Sequence, residues 1–264
     1  MRKHFWRTNC VILTVLLSII SWAPVSATKN PGISKTSNPT AKELFSQYVN
    51  TVYQTAGLQQ VGMDLSVFQK ALTGYFNIKA QNDLAQNDSV ITVVDFTRSS
   101  REKRMWIIDV LNKQLLLNTW VAHGSGSGDD MATSFSDINE SHQSSLGFYL
   151  ADDVYIGKHG RSLRLDGLDE GFNTNARARG IVIHAAEYVG ETAISSMGRL
   201  GRSFGCPAVA PSVINQVINT IKGKSVFFIN GNSSNYTSKY LDEAVFANFI
   251  LPDSTSAMIE SPKL

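Results

Sequence analysis

From residue 90 onward the hydrophobic period of this chain is that of β-strands. Residues 90–96, 105–110, 115–122, 146–150, 162–165, 181–184 and 226–229 are short apolar or β-branched runs separated by turn-rich segments. Runs of this length, bounded by glycine, asparagine, aspartate and serine, suit strands and are too short for packed helices. Lys113 sits between two of them and predicts a tight hairpin. One helix interrupts the series. Pro211 or Ser212 opens it, Val213, Ile214, Val217, Ile218 and Ile221 form an apolar stripe, and Gly223 stops it. The expected fold is mostly β, a sandwich or barrel with few helices.

Ahead of the strands lies a small helical addition at 41–88. Leu44, Tyr48, Val52 and Ala56, with Phe45 and Val49 beside them, recur at helical spacing, and Gly57 is a stop signal. Asp64 caps a second helix carrying Val67, Phe68, Ala71, Leu72 and Tyr75, with Met63 placed to staple against Phe68. We expect this pair to cover the domain at 89–232. In the tail at 233–264, Leu241, Ala244, Val245 and Phe249 share one helical face, and 251–264 reads as a loose end.

Residues 1–27 read as a signal peptide: Arg2, Lys3 and Arg7 precede an apolar stretch at 11–22, and Val25-Ser26-Ala27 offers small residues for cleavage. A membrane span needs about 20 apolar residues, and Pro24 follows this stretch at once, so stable insertion after cleavage is not expected. The segment at 28–40 is polar and broken by proline and glycine, a flexible leader. Cleavage removes three of the 24 basic side chains and none of the 22 acidic ones. The near balance, without a Lys/Arg block, argues against nucleic acid as the main ligand.

Cleavage also removes Cys10 and leaves Cys206 alone. An exported chain normally pairs its cysteines or lacks them, so a solitary thiol calls for a chemical reason. Cys206 lies in Ser203-Phe204-Gly205-Cys206-Pro207, and His184 ends an apolar run upstream. Taken singly, the cysteine reads as a small buried hydrophobe and the histidine as structural. Together they have the makings of a nucleophile and its base. A free thiol has a pKa of ~8.5 and reacts as thiolate, which a neighbouring imidazole and the start of the following helix would favour. Gly205, lacking Cβ, admits a carbonyl substrate to the backbone, and the amides of Gly205 and Cys206 are the expected oxyanion donors. Pro207 has no amide hydrogen to add. Ala185 offers the ring of His184 no side-chain partner, so a backbone carbonyl or a more distant group must orient it.

These residues resemble a known family. Ile183-His184 followed by Gly198-Arg199-Leu200-Gly201-Arg202-Ser203-Phe204-Gly205-Cys206-Pro207-Ala208-Val209 is similar to the catalytic block of the YkuD-type murein L,D-transpeptidases. Upstream, Val121-Ala122-His123-Gly124-Ser125-Gly126-Ser127-Gly128, Ser144-Ser145-Leu146-Gly147-Phe148-Tyr149 and Gly157-Lys158-His159-Gly160-Arg161-Ser162-Leu163 extend the similarity over roughly 90–230. The resemblance implies a mostly-β fold around a narrow cleft, Cys206 as nucleophile and His184 as base. It further implies a thioester acyl-enzyme formed on peptidoglycan stem peptides, and acylation by carbapenems. An incoming amine would give a cross-link or residue exchange, and water would give L,D-carboxypeptidase trimming. The chain departs from the family block twice: Phe204 replaces a histidine, and Ala208 stands where an arginine is often found. Arg202 is the expected substitute for that charge. A non-catalytic wall-binding module is the rival reading that Phe204 invites.

Ser203, His123, His159 and Arg161 complete the expected substrate contacts, with Lys158 beside the last two; Ser203 has bracing of its own loop as an equal alternative. The Gly-Ser run after His123 lacks the Lys-Ser/Thr ending of a phosphate loop. His123, His142, His159 and His184 lack zinc-motif spacing, so no metal and no cofactor is expected. A sortase-like enzyme would need an arginine after the cysteine, and the last arginine is Arg202. The expected location is the periplasm or cell envelope; the sequence does not assign an oligomeric state.

Overall fold

The computed structural model describes residues 39–81 and 89–243. The expected signal peptide, all but the last two residues of the leader, and the tail beyond 243 lie outside the described residues. So does the anticipated late helix, apart from Leu241, which ends a short 3₁₀ turn at Lys239–Leu241.

In chain order the elements are α1 (Ala41–Thr55), α2 (Leu65–Ala80), β1 (Val90–Asp95), β2 (Met105–Asp109), β3 (Gln114–Thr119), β4 (Gly147–Gly157), β5 (Gly160–Gly167), β6 (Val182–Ala185), α3 (Glu191–Met197), β7 (Ala208–Val209), α4 (Ile214–Ile221) and β8 (Ser225–Asn230). Both leading helices begin on strong caps. Thr40 and Glu43 form a reciprocal capping box on α1, and the Asp64 carboxylate accepts from the amides of Ser66 and Val67 on α2. Lys113 takes the left-handed conformation (φ 55°) at the β2–β3 turn, as the expected hairpin requires.

The strands form one sheet in the order β3-β2-β1-β8-β4-β5-β6-β7. The last strand of the chain is therefore inserted near its middle, parallel to β1 and antiparallel to β4. β6 runs antiparallel to β5 and parallel to β7. Beyond β3, Ala122 bridges Ala208 of β7 and Gly124 bridges Ser203. The two ends of the strand order thus meet, and the sheet curls into a nearly closed barrel, a mostly-β fold as the sequence predicts.

Both faces of the sheet centre are buried, which is why these strands read as continuous apolar runs. Ile91, Val93, Trp106, Ile108, Phe148, Leu150, Val226 and Phe228 face α1 and α2. Their alternates, Val90, Val94, Met105, Ile107, Tyr149, Ala151, Phe227 and Ile229, share the other core with Ile214, Val217, Ile218 and Ile221 of α4. Helix α2 is buried almost all round, held on its far side by Asn77, whose amide donates to the carbonyls of Tyr240 and Asp242. The pair of helices is part of the core beneath the sheet.

Three local features escape the pattern of apolar runs. β4 and β5 extend well past their apolar halves into a polar hairpin arm whose tip is Lys158–His159, with a register shift between Ala151 and Val154. Helix α3 is seven residues long and starts at Gly190 without a side-chain cap. β7 is two residues long and gains its partner only by the return of the chain to β6.

Helix α2 approaches β4 so closely that a Cβ on Gly74 would stand 2.0 Å from the Phe148 ring. Gly74→Ala should therefore lower stability by about 1–3 kcal/mol, although alanine is the better helix former; the urea midpoint checks this. A second expectation concerns acid. His123 is buried and takes a hydrogen bond from Arg104, Nη2 to Nδ1 at 2.7 Å. Burial first, and then the Arg104 charge, push its pKa down from 6.5 to about 4. The unfolded chain binds the extra proton more readily, so this contribution to stability is complete above pH 6.5 and is lost as pH falls toward 4. His123→Gln should show a flatter stability profile than wild type across that window.

Candidate active site

His184 is the third residue of β6 and pairs with Ala208 of β7, two residues beyond Cys206. Strand pairing thus brings the base strand and the cysteine turn side by side. Both side chains line a cavity of about 390 Å³, with Tyr155, Tyr188, Phe204, Lys158, His159, Arg179, Arg202 and Ser203 among its other walls. Among the described residues no acidic side chain lines it.

The His184 Nδ1–H donates to the carbonyl of Ala185 at 2.9 Å. A backbone carbonyl therefore supplies the orienting partner that no neighbouring side chain offers, and the lone pair of the neutral ring is left on Nε2. The ring of His159, from the hairpin tip, stacks on it at 4.2 Å. Burial, followed by the nearby His159 and Lys158 charges, holds His184 below its ordinary pKa, against the opposite pull of the Ala185 carbonyl. The imidazole is thus neutral at neutral pH.

The thiol of Cys206 is half-buried and lies 3.6 Å from the Gly180 carbonyl, a weak S–H···O contact. Among the described residues it makes no direct hydrogen bond to the imidazole, as is common before substrate binds. Burial pushes its pKa up, opposed by the Val182 amide, Arg179 and Lys158. This differs from the sequence expectation of a thiol lowered by imidazole and helix. The imidazole is neutral, and α4 starts only at Ile214, after β7, so neither supplies a full positive charge. Thiol and imidazole are therefore both neutral.

The cysteine turn is tied from within and from outside. Ser203 Oγ donates to the Cys206 carbonyl at 2.6 Å and accepts from the Gly205 amide at 3.1 Å. Ser144 Oγ accepts from the Gly124 amide and donates to the Gly205 carbonyl. The Ser203 hydroxyl is thus spent on bracing its own loop, and the Gly205 amide, expected as an oxyanion donor, is already engaged. Gly205 itself has φ +119°, and an added Cβ would meet the Gln143 carbonyl at 2.7 Å. Glycine is required there because another loop crowds the turn.

Of the other expected contacts, His159 and Arg202 face the cavity. Arg202 also donates to the Gly128 carbonyl and pairs with Asp129. Arg161 turns away, its guanidinium bonded to Asn215 and Asn219 on α4. His123 is 1% exposed and lies behind the site, where its carbonyl accepts from the Ser203 amide. The positions of Arg161 and His123 correct the expectation that they contact substrate. Phe204 is 70% exposed and stacks on His142 at 4.3 Å, so an imidazole from another loop lies against the Phe204 ring.

Arg179 and Tyr188 belong to the cavity without having been singled out in the sequence. Arg179 binds the carbonyls of Ser136 and Gln143 and the Ser145 hydroxyl, clamping the loop that crowds Gly205. The available signal was proximity: Arg179 lies three residues before β6, and Tyr188 lies four residues after His184.

Among solved structures the chain is similar to an L,D-transpeptidase from Stackebrandtia nassauensis (12% identity over 71% of this chain and 78% of that chain, TM-score 0.35). It is also similar to one from Mycobacterium smegmatis (12%, 54% and 59%, 0.33) and one from Xylanimonas cellulosilytica (10%, 53% and 60%, 0.34). The chain spans about three fifths of the length of the last two. No curated protein matches it significantly by sequence. The family model described as the L,D-transpeptidase catalytic domain matches residues 59–230, from the loop before α2 to the end of β8 and including both His184 and Cys206. By that match over more than half its length, the chain belongs to the L,D-transpeptidase catalytic domain family.

Proposed function

We propose that this protein is an exported, cell-envelope L,D-transpeptidase that uses Cys206 to acylate itself on peptidoglycan stem peptides. The observation that carries this reading is the meeting of Cys206 and His184 in one cavity walled by Lys158, Arg179 and Arg202. A cationic cleft suits peptides that bear free carboxylates, and stem peptides carry them at the residues flanking an L,D bond. No helix among the described residues is long and apolar enough to cross a membrane.

With thiol and imidazole both neutral, His184 Nε2 takes the proton of Cys206 as the sulfur attacks the donor carbonyl, instead of resting beside a ready-made thiolate. The tetrahedral intermediate collapses to a thioester, and the imidazolium gives its proton to the departing amine. The Ala185 carbonyl holds the ring in the tautomer that this shuttle needs. An acceptor amine then gives a cross-link or exchange, and water gives carboxypeptidase trimming. Both outcomes share the first half-reaction.

Purified protein incubated with a defined tetrapeptide muropeptide should yield cross-linked or exchanged products by mass spectrometry. Tripeptide alone would assign the carboxypeptidase outcome, and no product would favour a wall-binding module. Cys206→Ala should reduce turnover by more than about 10³-fold, and a carbapenem should add mass at Cys206 and nowhere else. The acid limb of kcat/KM should have its midpoint below 6.5, because burial and the cations around His184 lower its pKa; a midpoint above that value would contradict His184 as the base.

A further inference from the structure

Acyl transfer at Cys206 places negative charge on the oxygen of the attacked carbonyl, and such sites work by aiming preorganised donors at it. The cysteine turn is poor in them. The Gly205 amide is engaged by Ser203 Oγ at 3.1 Å, and Pro207 has no amide hydrogen. Among the described residues the Cys206 amide has no hydrogen-bond partner, which leaves it free to donate.

Tyr188 lines the same cavity as Cys206. Its backbone carbonyl accepts from the Gly201 amide at 2.8 Å, on the segment that runs into Ser203. A Cβ on Gly201 would fall 2.4 Å from Tyr188 Cβ and 2.6 Å from its Cγ, so the absence of a side chain there sets where the ring lies. Tyr188 packs against the cluster of Ala122, Ala186, Val189, Leu200 and Ala208, of which Ala122 and Ala208 form a bridge that closes the barrel. The phenol oxygen has no hydrogen-bond partner among the described residues, although the side chain is partly buried.

We infer that Tyr188 is a further catalytic residue, whose hydroxyl joins the Cys206 amide as the second donor to the oxyanion. This rests on the reading of Cys206 as an acyl-transfer nucleophile. In the step, a sulfur electron pair forms the S–C bond while the carbonyl π pair moves onto oxygen. Tyr188 donates a hydrogen bond to that oxygen and keeps its proton. When the pair returns to re-form the carbonyl, the C–N bond breaks and the amine leaves with the proton held by His184. Burial, and secondarily the neighbouring Cys206, push the phenol up to about 12, so it is a donor and not an acid at neutral pH.

The test compares two reactions of the same thiol in the intact protein. Acylation by p-nitrophenyl acetate passes through an oxyanion, whereas alkylation by iodoacetamide, a displacement at saturated carbon, does not. Tyr188→Phe keeps the ring and removes only the hydroxyl. It should acylate about 10²-fold more slowly, with unchanged alkylation rate and melting temperature. Acylation at the wild-type rate, or parallel loss of both reactions, would overturn the role. Wild-type ester labelling that persists in Cys206→Ala would instead remove the nucleophile reading and this inference with it. Selective slowing of acylation in a protein inert toward muropeptides would support Tyr188 while rejecting the substrate reading.

Discussion

The site depends on the contact that closes the barrel. Ala122 and Ala208 exchange backbone hydrogen bonds, Ser125 donates to the Ser203 carbonyl, and Ser203 donates to the His123 carbonyl. These bonds join the segment after β3 to the segment around β7, two stretches far apart in the chain. β7 then pairs with β6, and His184 and Cys206 come to share a cavity. Backbone ladders of this kind are rigid because their donors and acceptors have no competing partners once water is excluded.

Around that contact, small polar side chains act as ties between loops. Ser144 and Ser203 each bridge backbone groups of the cysteine turn or of the loop behind it, and the Ser127 hydroxyl accepts from the Ser144 amide. Gly124 and Gly205 allow the loops to approach: a Cβ on Gly124 would lie 2.3 Å from the His142 carbonyl. The Gly-Ser run therefore acts as tightly packed support for the turn. Arg179 contributes from the other side, where its buried guanidinium gathers several carbonyls and adds positive potential near the sulfur. Side chain and charge are combined in one residue, so rigidity and electrostatics at the turn are coupled.

Burial governs the electrostatics of the pair. It disfavours the charged forms of both Cys206 and His184, raising one pKa and lowering the other. The surrounding cations stabilise a thiolate and oppose an imidazolium. The balance favours the uncharged form of both groups. Such an arrangement also limits oxidation of a lone thiol, because the thiolate is the reactive form.

The strand runs at 90–96, 105–110 and 226–229 and the stripe of α4 were legible because their periodicity follows directly from burial on one or both faces. Cys206 and His184 were legible because lone thiol and imidazole chemistry is carried by residue type. The polar arm of the β4–β5 hairpin and the two-residue β7 carry no apolar pattern, so nothing local announces them. Whether Ser203 faces substrate or its own loop, whether Arg161 reaches the cleft or α4, and whether the Gly205 amide is free are decided by which distant groups arrive beside them. The sequence alone therefore determined the mostly-β class and singled out Cys206 and His184 as the candidate pair, because periodicity and functional groups are local properties. Only the tertiary structure decided their protonation and the composition of the cleft, because desolvation, charge and hydrogen bonding at Cys206 come from residues brought together when the sheet closes.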